Sequence, residues 1–102
     1  MPMKTTFTEE NNNYVMRFEG RLDTSASVQT ERDMQVLNEC AGHDIILDCT
    51  ELKYISSSGL RLFLSLLKKA KAQGSQVSIS GLNDDLRQVF DEIGFTRLFN
   101  IL

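Results

Sequence analysis

The stretch DIILDCT at 44–50 limits the possible folds more than any other part of the chain. Ile45, Ile46 and Leu47 form an apolar run without alternation, which predicts a short strand covered on both faces. A segment with helical spacing follows, and then a second strand-like stretch, SQVSISG at 75–81. Strands that alternate with helices imply a mainly parallel sheet joined by right-handed crossovers.

The first 20 residues follow a different pattern. Residues 4–10 and the alternating stretch YVMRFEG at 14–20 predict two strands, and the polar run EENNN between them predicts a turn. The pair is typical of an antiparallel hairpin with an asparagine-rich loop.

Three segments with helical spacing of apolar residues, each beginning near a capping residue, predict helices. The first extends from a cap among Asp23, Thr24 and Ser25 to about Cys40, the second covers about 57–73, and the third lies within 83–94. The positions that we expect to face the core are Ala26, Thr30, Met34, Leu37 and Cys40 or Ala41, then Leu60, Phe63, Leu64, Leu67 and Ala70, then Leu86, Val89, Phe90 and Ile93.

The order is therefore strand, strand, helix, strand, helix, strand, helix and an apolar tail, FTRLFNIL, that should pack against the rest. At 102 residues the chain has the length of one domain. We expect residues 1–102 to form a single α/β domain. Its small, mainly parallel sheet would begin with the antiparallel hairpin, and its helices would pack mostly on one face.

Composition excludes several classes of function. A net charge of -3 without a basic stripe argues against direct nucleic-acid binding. No apolar stretch is long enough to span a membrane, and no signal peptide is recognisable. Cys40 and Cys49 are too few for a disulfide framework or a zinc site and predict buried free thiols in a reducing compartment. We expect a cytoplasmic protein without a metal or cofactor.

The motif YISSSGL at 54–60 carries three serines where a strand meets a helix. Free N–H groups and the helix dipole favour negative charge at such a position. One serine acting as an ordinary helix cap, with the others merely small and polar, is one interpretation. A hydroxyl that accepts and loses a phosphoryl group is the other.

A catalytic serine is a weaker hypothesis. The only histidine, His43, lies in a predicted loop, and the motif lacks the glycine that a nucleophile elbow has two residues before the serine. The glycines form no phosphate-binding series either, so nucleotide binding by this chain is not expected. Asp48, which closes the apolar run, is expected to accept backbone N–H groups of the following loop.

Three linked stretches resemble the STAS domain, specifically the small bacterial anti-sigma factor antagonists. They are GRLDTS at 20–25, IILDCTELKYISSSGLRLFLSLLKKAKAQG at 45–74 and VSISGLNDDLRQVFDEIGFTRLF at 77–99. The resemblance covers nearly the whole chain. It implies a regulatory switch rather than an enzyme.

Carried onto this chain, the resemblance makes Ser58 the phosphoacceptor and Ser57 its neighbour in the motif. Asp23 would lie close to this site as part of the docking surface, and Gly59 would allow close approach of the partner's active site. Ser56 would also belong to the partner-binding surface, together with Asp23, Ser57, Ser58 and Gly59, although the family most often has an aspartate at this position.

The partners implied by the resemblance are an anti-sigma factor that is also a serine protein kinase, and a protein phosphatase. The unphosphorylated form would bind the anti-sigma factor and release a sigma factor. Some STAS relatives instead act without phosphorylation, as signalling scaffolds or as cytosolic subunits of lipid transporters. The short, acidic chain favours a monomer.

Overall fold

A computed structural model describes residues 3–102, so residues 1 and 2 of the expected domain lie outside the described residues. The described residues form five strands: β1 (Lys4–Glu10), β2 (Asn13–Leu22), β3 (Ile45–Ile55), β4 (Val77–Ser80) and β5 (Asn100–Ile101). They also form four α-helices: α1 (Thr24–Asp33), α2 (Ser57–Ala72), α3 (Asp84–Glu92) and α4 (Phe95–Leu98). A short 3-10 helix, Met34–Leu37, follows α1.

The strands form one sheet in the order β1-β2-β3-β4-β5. β1 is antiparallel to β2, while every other neighbouring pair is parallel. This arrangement confirms the predicted hairpin followed by a parallel sheet. The apolar tail packs as expected, with Phe95 and Phe99 buried, and it also adds β5, which the sequence pattern did not predict.

The core lies on one face of the sheet. Met16, Phe18, Ile45 and Leu47 point into a single cluster with the buried side chains of the helices. Ile46 alternates onto the opposite face and is only partly buried, so the prediction of a strand covered on both faces is wrong. Because the helices pack on one face, the middle residue of this apolar run is only partly buried.

β3 is longer than the predicted strand 44–50, since ELKYI continues it to Ile55. Two register shifts against β2 give β3 two extra residues. Asp48 lies at the first shift, where its Oδ1 accepts hydrogen bonds from the N–H of Thr50 at 3.0 Å and from the Thr50 hydroxyl at 2.6 Å. Asp48 therefore accepts a backbone N–H as expected, but it stabilises a β-bulge rather than a loop.

α1 ends at Asp33, seven residues before the predicted end at Cys40. Cys40 leaves the helix because its backbone bonds elsewhere: its N–H donates to Gln73 Oε1 at 2.9 Å, and its carbonyl accepts from the Ser75 hydroxyl at 2.7 Å. Cys40 remains buried, as does Cys49, and both are free thiols as predicted. Burial, together with the neighbouring carboxylate of Asp48, raises the pKa of the Cys49 thiol.

The third helix buries fewer residues than its apolar spacing predicted. Leu86 and Phe90 are buried, but Val89 is 37% and Ile93 46% exposed. α3 is only nine residues long, so it buries a narrower stripe than the apolar spacing suggested. In α2 the core includes Leu66, which was not predicted, while Leu60 and Leu64 are only partly buried.

Gly81 follows β4 with φ of +77°, and an added Cβ would lie 2.8 Å from the backbone of Thr50. We expect Gly81→Ala to lower the free energy of unfolding by about 2 kcal/mol or more, since it combines a left-handed backbone with a backbone clash. Gly74 is the matched control because its φ is +78° and nothing lies within 4 Å of an added Cβ. Gly74→Ala should cost about 1 kcal/mol. Equal losses in urea unfolding would contradict the packing argument.

Candidate functional site

Two helices begin side by side at one edge of the sheet. β2 ends at Leu22 and β3 ends at Ile55, and these two residues are partners in the parallel register. The next residue on each strand, Asp23 or Ser56, caps the helix that follows. Because neighbouring strands lie about 4.8 Å apart, the starts of α1 and α2 are adjacent. The expected proximity of Asp23 to the serine motif follows from this register.

Ser56 is the serine that caps α2. Its Oγ accepts a hydrogen bond from the N–H of Gly59 at 3.2 Å, and its own N–H donates to the Leu22 carbonyl at 2.8 Å. It is 7% exposed, so little of it is available to another protein. A serine oxygen fills the capping role that an aspartate can also fill. The departure from the usual aspartate therefore leaves the helix capped.

Gly59 belongs to the first turn of α2 and is buried. An added Cβ would lie 2.8 Å from Ile55 Cγ1 and 2.8 Å from Leu22 Cγ. A glycine here lets the helix pack tightly on the ends of both strands. Packing within this protein therefore requires a glycine here. That Gly59 also allows close approach of a partner's active site stays a prediction.

Ser57 and Ser58 occupy the first turn of α2, where Ser57 is exposed and Ser58 partly exposed. The first N–H groups of a helix have no acceptor within the helix, and the side-chain oxygen of Ser56 accepts only that of Gly59. Two hydroxyls therefore stand at a helix end that favours negative charge.

Asp23 caps α1 in the same manner. Its Oδ1 accepts from the N–H of Ala26 at 2.8 Å and from the Ser25 hydroxyl at 3.0 Å. The hydrogen bond from Ala26, then that from Ser25, lowers the pKa of the Asp23 carboxyl, and the positive charge of Arg21 acts in the same direction. The edge thus keeps a fixed negative charge next to the serines.

The structure adds one feature that the sequence did not indicate. The Arg21 guanidinium lies 4.4 Å from the centroid of the Tyr54 ring, and Tyr54 is 40% exposed. The two residues are register partners one step before Leu22 and Ile55. Nothing in the sequence links them, because their pairing depends on both bulges in β3.

His43 lies at the opposite end of β3 from the serines. It precedes Ile45, whereas Ser57 follows Ile55, and eleven strand residues separate the two ends by roughly 30 Å. Its ring stacks on Tyr14 at 4.2 Å, and its Nδ1 lies 2.8 Å from the Asn12 carbonyl oxygen. His43 therefore cannot act as a base for either serine.

Within residues 3–102, no group of three or more His, Cys, Asp or Glu side chains could hold a metal ion. The helices in that range are too short or too polar to cross a lipid bilayer.

The cap of α2 can be tested by stability. Ser56→Ala removes the acceptor of the Gly59 N–H, so we expect the free energy of unfolding to fall by about 1 kcal/mol in urea unfolding. Ser65→Ala removes an exposed hydroxyl from the middle of the same helix and should change it by less than about 0.5 kcal/mol. A loss no larger than that of the control would show that Ser56 does not act as the cap.

The lowered pKa of Asp23 predicts a pH dependence. Asp23→Asn keeps a capping oxygen but removes the charge. The pKa of the Asp23 carboxyl is lower in the folded protein than its ordinary value of 3.8, so the ionised carboxyl stabilises the fold at any pH above 3.8. This stabilisation is lost as the pH falls through the pKa of the folded protein. We therefore expect the stability of the wild type relative to Asp23→Asn to decline below about pH 4. A difference that stays constant from neutral pH to about pH 3 would contradict the assignment.

Known proteins resemble this chain in sequence and in fold. The anti-sigma-B factor antagonist of Listeria monocytogenes is 26% identical over 82 residues, which cover 80% of this chain and 72% of the relative. An anti-sigma-factor antagonist (STAS) domain protein from Planctomyces limnophilus superposes with a TM-score of 0.88 at 14% identity, covering 96% of this chain and 87% of that one.

The anti-sigma factor antagonist SpoIIAA is also similar and has been solved in two states. Its phosphorylated form, from Bacillus, has a TM-score of 0.73 at 20% identity, covering 97% of this chain and 91% of that one. The unphosphorylated form has a TM-score of 0.69 at 20% identity, covering 93% and 97%. These structures share the fold. The STAS domain family model matches residues 4–102, and the chain therefore belongs to the STAS domain family.

Proposed function

We propose that this protein is an anti-sigma factor antagonist that is switched by phosphorylation of Ser58. The observation that carries the proposal is the position of Ser57 and Ser58 at the capped start of α2, next to the Asp23 cap of α1. Among the similar proteins are anti-sigma-B factor antagonists and SpoIIAA, which exists in a phosphorylated form. The protein is a binding module rather than an enzyme, and it acts in the cytoplasm as a monomer.

The partner is an anti-sigma factor that is also a serine protein kinase. In the transfer step the Ser58 Oγ forms a bond to the γ-phosphorus of ATP held by the kinase. The bond from that phosphorus to the bridging oxygen breaks, ADP leaves, and the hydroxyl proton passes to a base on the kinase. A protein phosphatase reverses the modification by hydrolysis. This chain supplies only the acceptor hydroxyl.

The five residues of the predicted site divide into two groups. Ser57, Ser58 and Asp23 are accessible to a partner, whereas Ser56 and Gly59 are buried and hold the first turn of α2 in place. The accessible group touches the kinase, and the buried group fixes where the hydroxyls lie. Ser56 brings no charge to the surface, so Asp23 is the carboxylate that the kinase meets at this edge.

Electrostatics makes the modification an effective switch. A phosphoryl group adds nearly two negative charges. The helix start tolerates these charges while they are in water. On docking they must be desolvated or repelled, which costs several kcal/mol and corresponds to about a thousandfold loss of affinity. No change of fold is required.

Substitutions at Ser58 test the proposal. The kinase recovered from native cells with the tagged wild type is identified and titrated by calorimetry against each variant. Ser58→Ala should bind as tightly as the unmodified wild type and accept no phosphoryl group from ATP. Ser58→Asp should bind at least about tenfold more weakly, since it places one negative charge in the interface.

Ser65→Asp is the matched control because it adds the same charge to an exposed position two turns further along α2. It should bind like the wild type. Equal affinities of Ser58→Ala and Ser58→Asp would contradict the switch and point to a STAS subunit that acts without phosphorylation.

A further inference from the structure

Arg61 lies on α2 one turn beyond the serines. It is exposed, three residues after Ser58 and four after Ser57. Side chains three or four positions apart on a helix are neighbours, with about 5–6 Å between their Cβ atoms. The Arg61 guanidinium is therefore within reach of an anion on either hydroxyl.

Other cations near this edge already have partners. Arg21 lies over Tyr54, while Arg17 and Lys53 both lie within 4.0 Å of the Glu51 carboxylate, at 3.9 and 3.6 Å. None of the ion pairs found within residues 3–102 includes Arg61. Lys68, the next cation along α2, lies ten residues after Ser58, which is nearly three turns further on.

We propose that Arg61 is the counter-charge for the phosphoryl group on Ser58. Its planar guanidinium donates two parallel hydrogen bonds to phosphate oxygens, a geometry that lysine cannot reproduce. The inference rests on the proposed function, because it concerns the modified state of the same serine. It adds a residue of this chain that acts on the phosphate and that the serine motif does not contain.

Pairing between Arg61 and the phosphate changes how phosphorylation alters the surface around Ser58. Before phosphorylation Arg61 presents a positive charge beside the hydroxyls. Afterwards a phosphate with a charge of nearly -2 is paired with that guanidinium. The summed charge of residues 58 and 61 therefore falls from about +1 to about -1. A partner that accepts hydrogen bonds from Arg61 loses them in the same event that introduces the anion.

The test measures the second ionisation of a phosphoserine installed at position 58 during translation. Phosphorus NMR follows its chemical shift with pH in three backgrounds: the wild type, Arg61→Gln and Arg61→Lys. Removal of the guanidinium should raise the phosphate pKa by about 0.3 unit or more, and lysine should restore part of the difference. The start of α2 acts alike in all three, so their differences isolate residue 61.

Lys68→Gln is the matched control, since it removes one positive charge from an exposed position on the same helix. It should leave the phosphate pKa within about 0.1 unit of the wild-type value. An unchanged pKa in Arg61→Gln, or an equal rise in Lys68→Gln, would overturn the proposal. Since the phosphoserine is installed directly, this result is independent of whether a kinase modifies Ser58 in the cell.

Discussion

The parallel pairing of β2 with β3 is the constraint on which the site depends. The N–H of Ser56 donates to the Leu22 carbonyl at 2.8 Å, one residue beyond the register pair of Leu22 and Ile55. Both strands therefore end at the same level, and each is followed directly by a helix cap. A shift of this register would separate Asp23 from the serines, although each helix would still form.

The buried residues of the site hold the start of α2 in place, and the accessible ones are available to a partner. Ser56 and Gly59 are enclosed, so the first turn of α2 cannot slide or tilt without breaking a cap or opening a gap above Leu22 and Ile55. Ser57 and Ser58 remain accessible on this rigid turn. A phosphate on this turn would lie in water next to the start of α2. It would therefore change the charge of the surface that a partner contacts and leave the packing of the core unchanged.

Periodicity predicted the element order and the hairpin, because these follow from where apolar residues must be buried. It wrongly predicted that β3 is covered on both faces, although the small number of helices favoured packing mostly on one face. It also located the serine motif at a helix start. It could not decide which serine caps the helix, since Ser56, Ser57 and Ser58 have equal capping ability until the backbone is known. The two bulges in β3 and the inward role of Gly59 depend on contacts between strands distant in sequence, for which a single chain has no local signal.

The intact mass of the protein from its native cells, with the modified residue located by fragmentation, tests the central claim most directly. We expect a fraction that carries one phosphoryl group, placed on Ser58, whose abundance changes with growth conditions. A single unmodified mass under every condition, including stress, would contradict it. In that case the serines would only start a helix, and the protein would bind its partner without a switch.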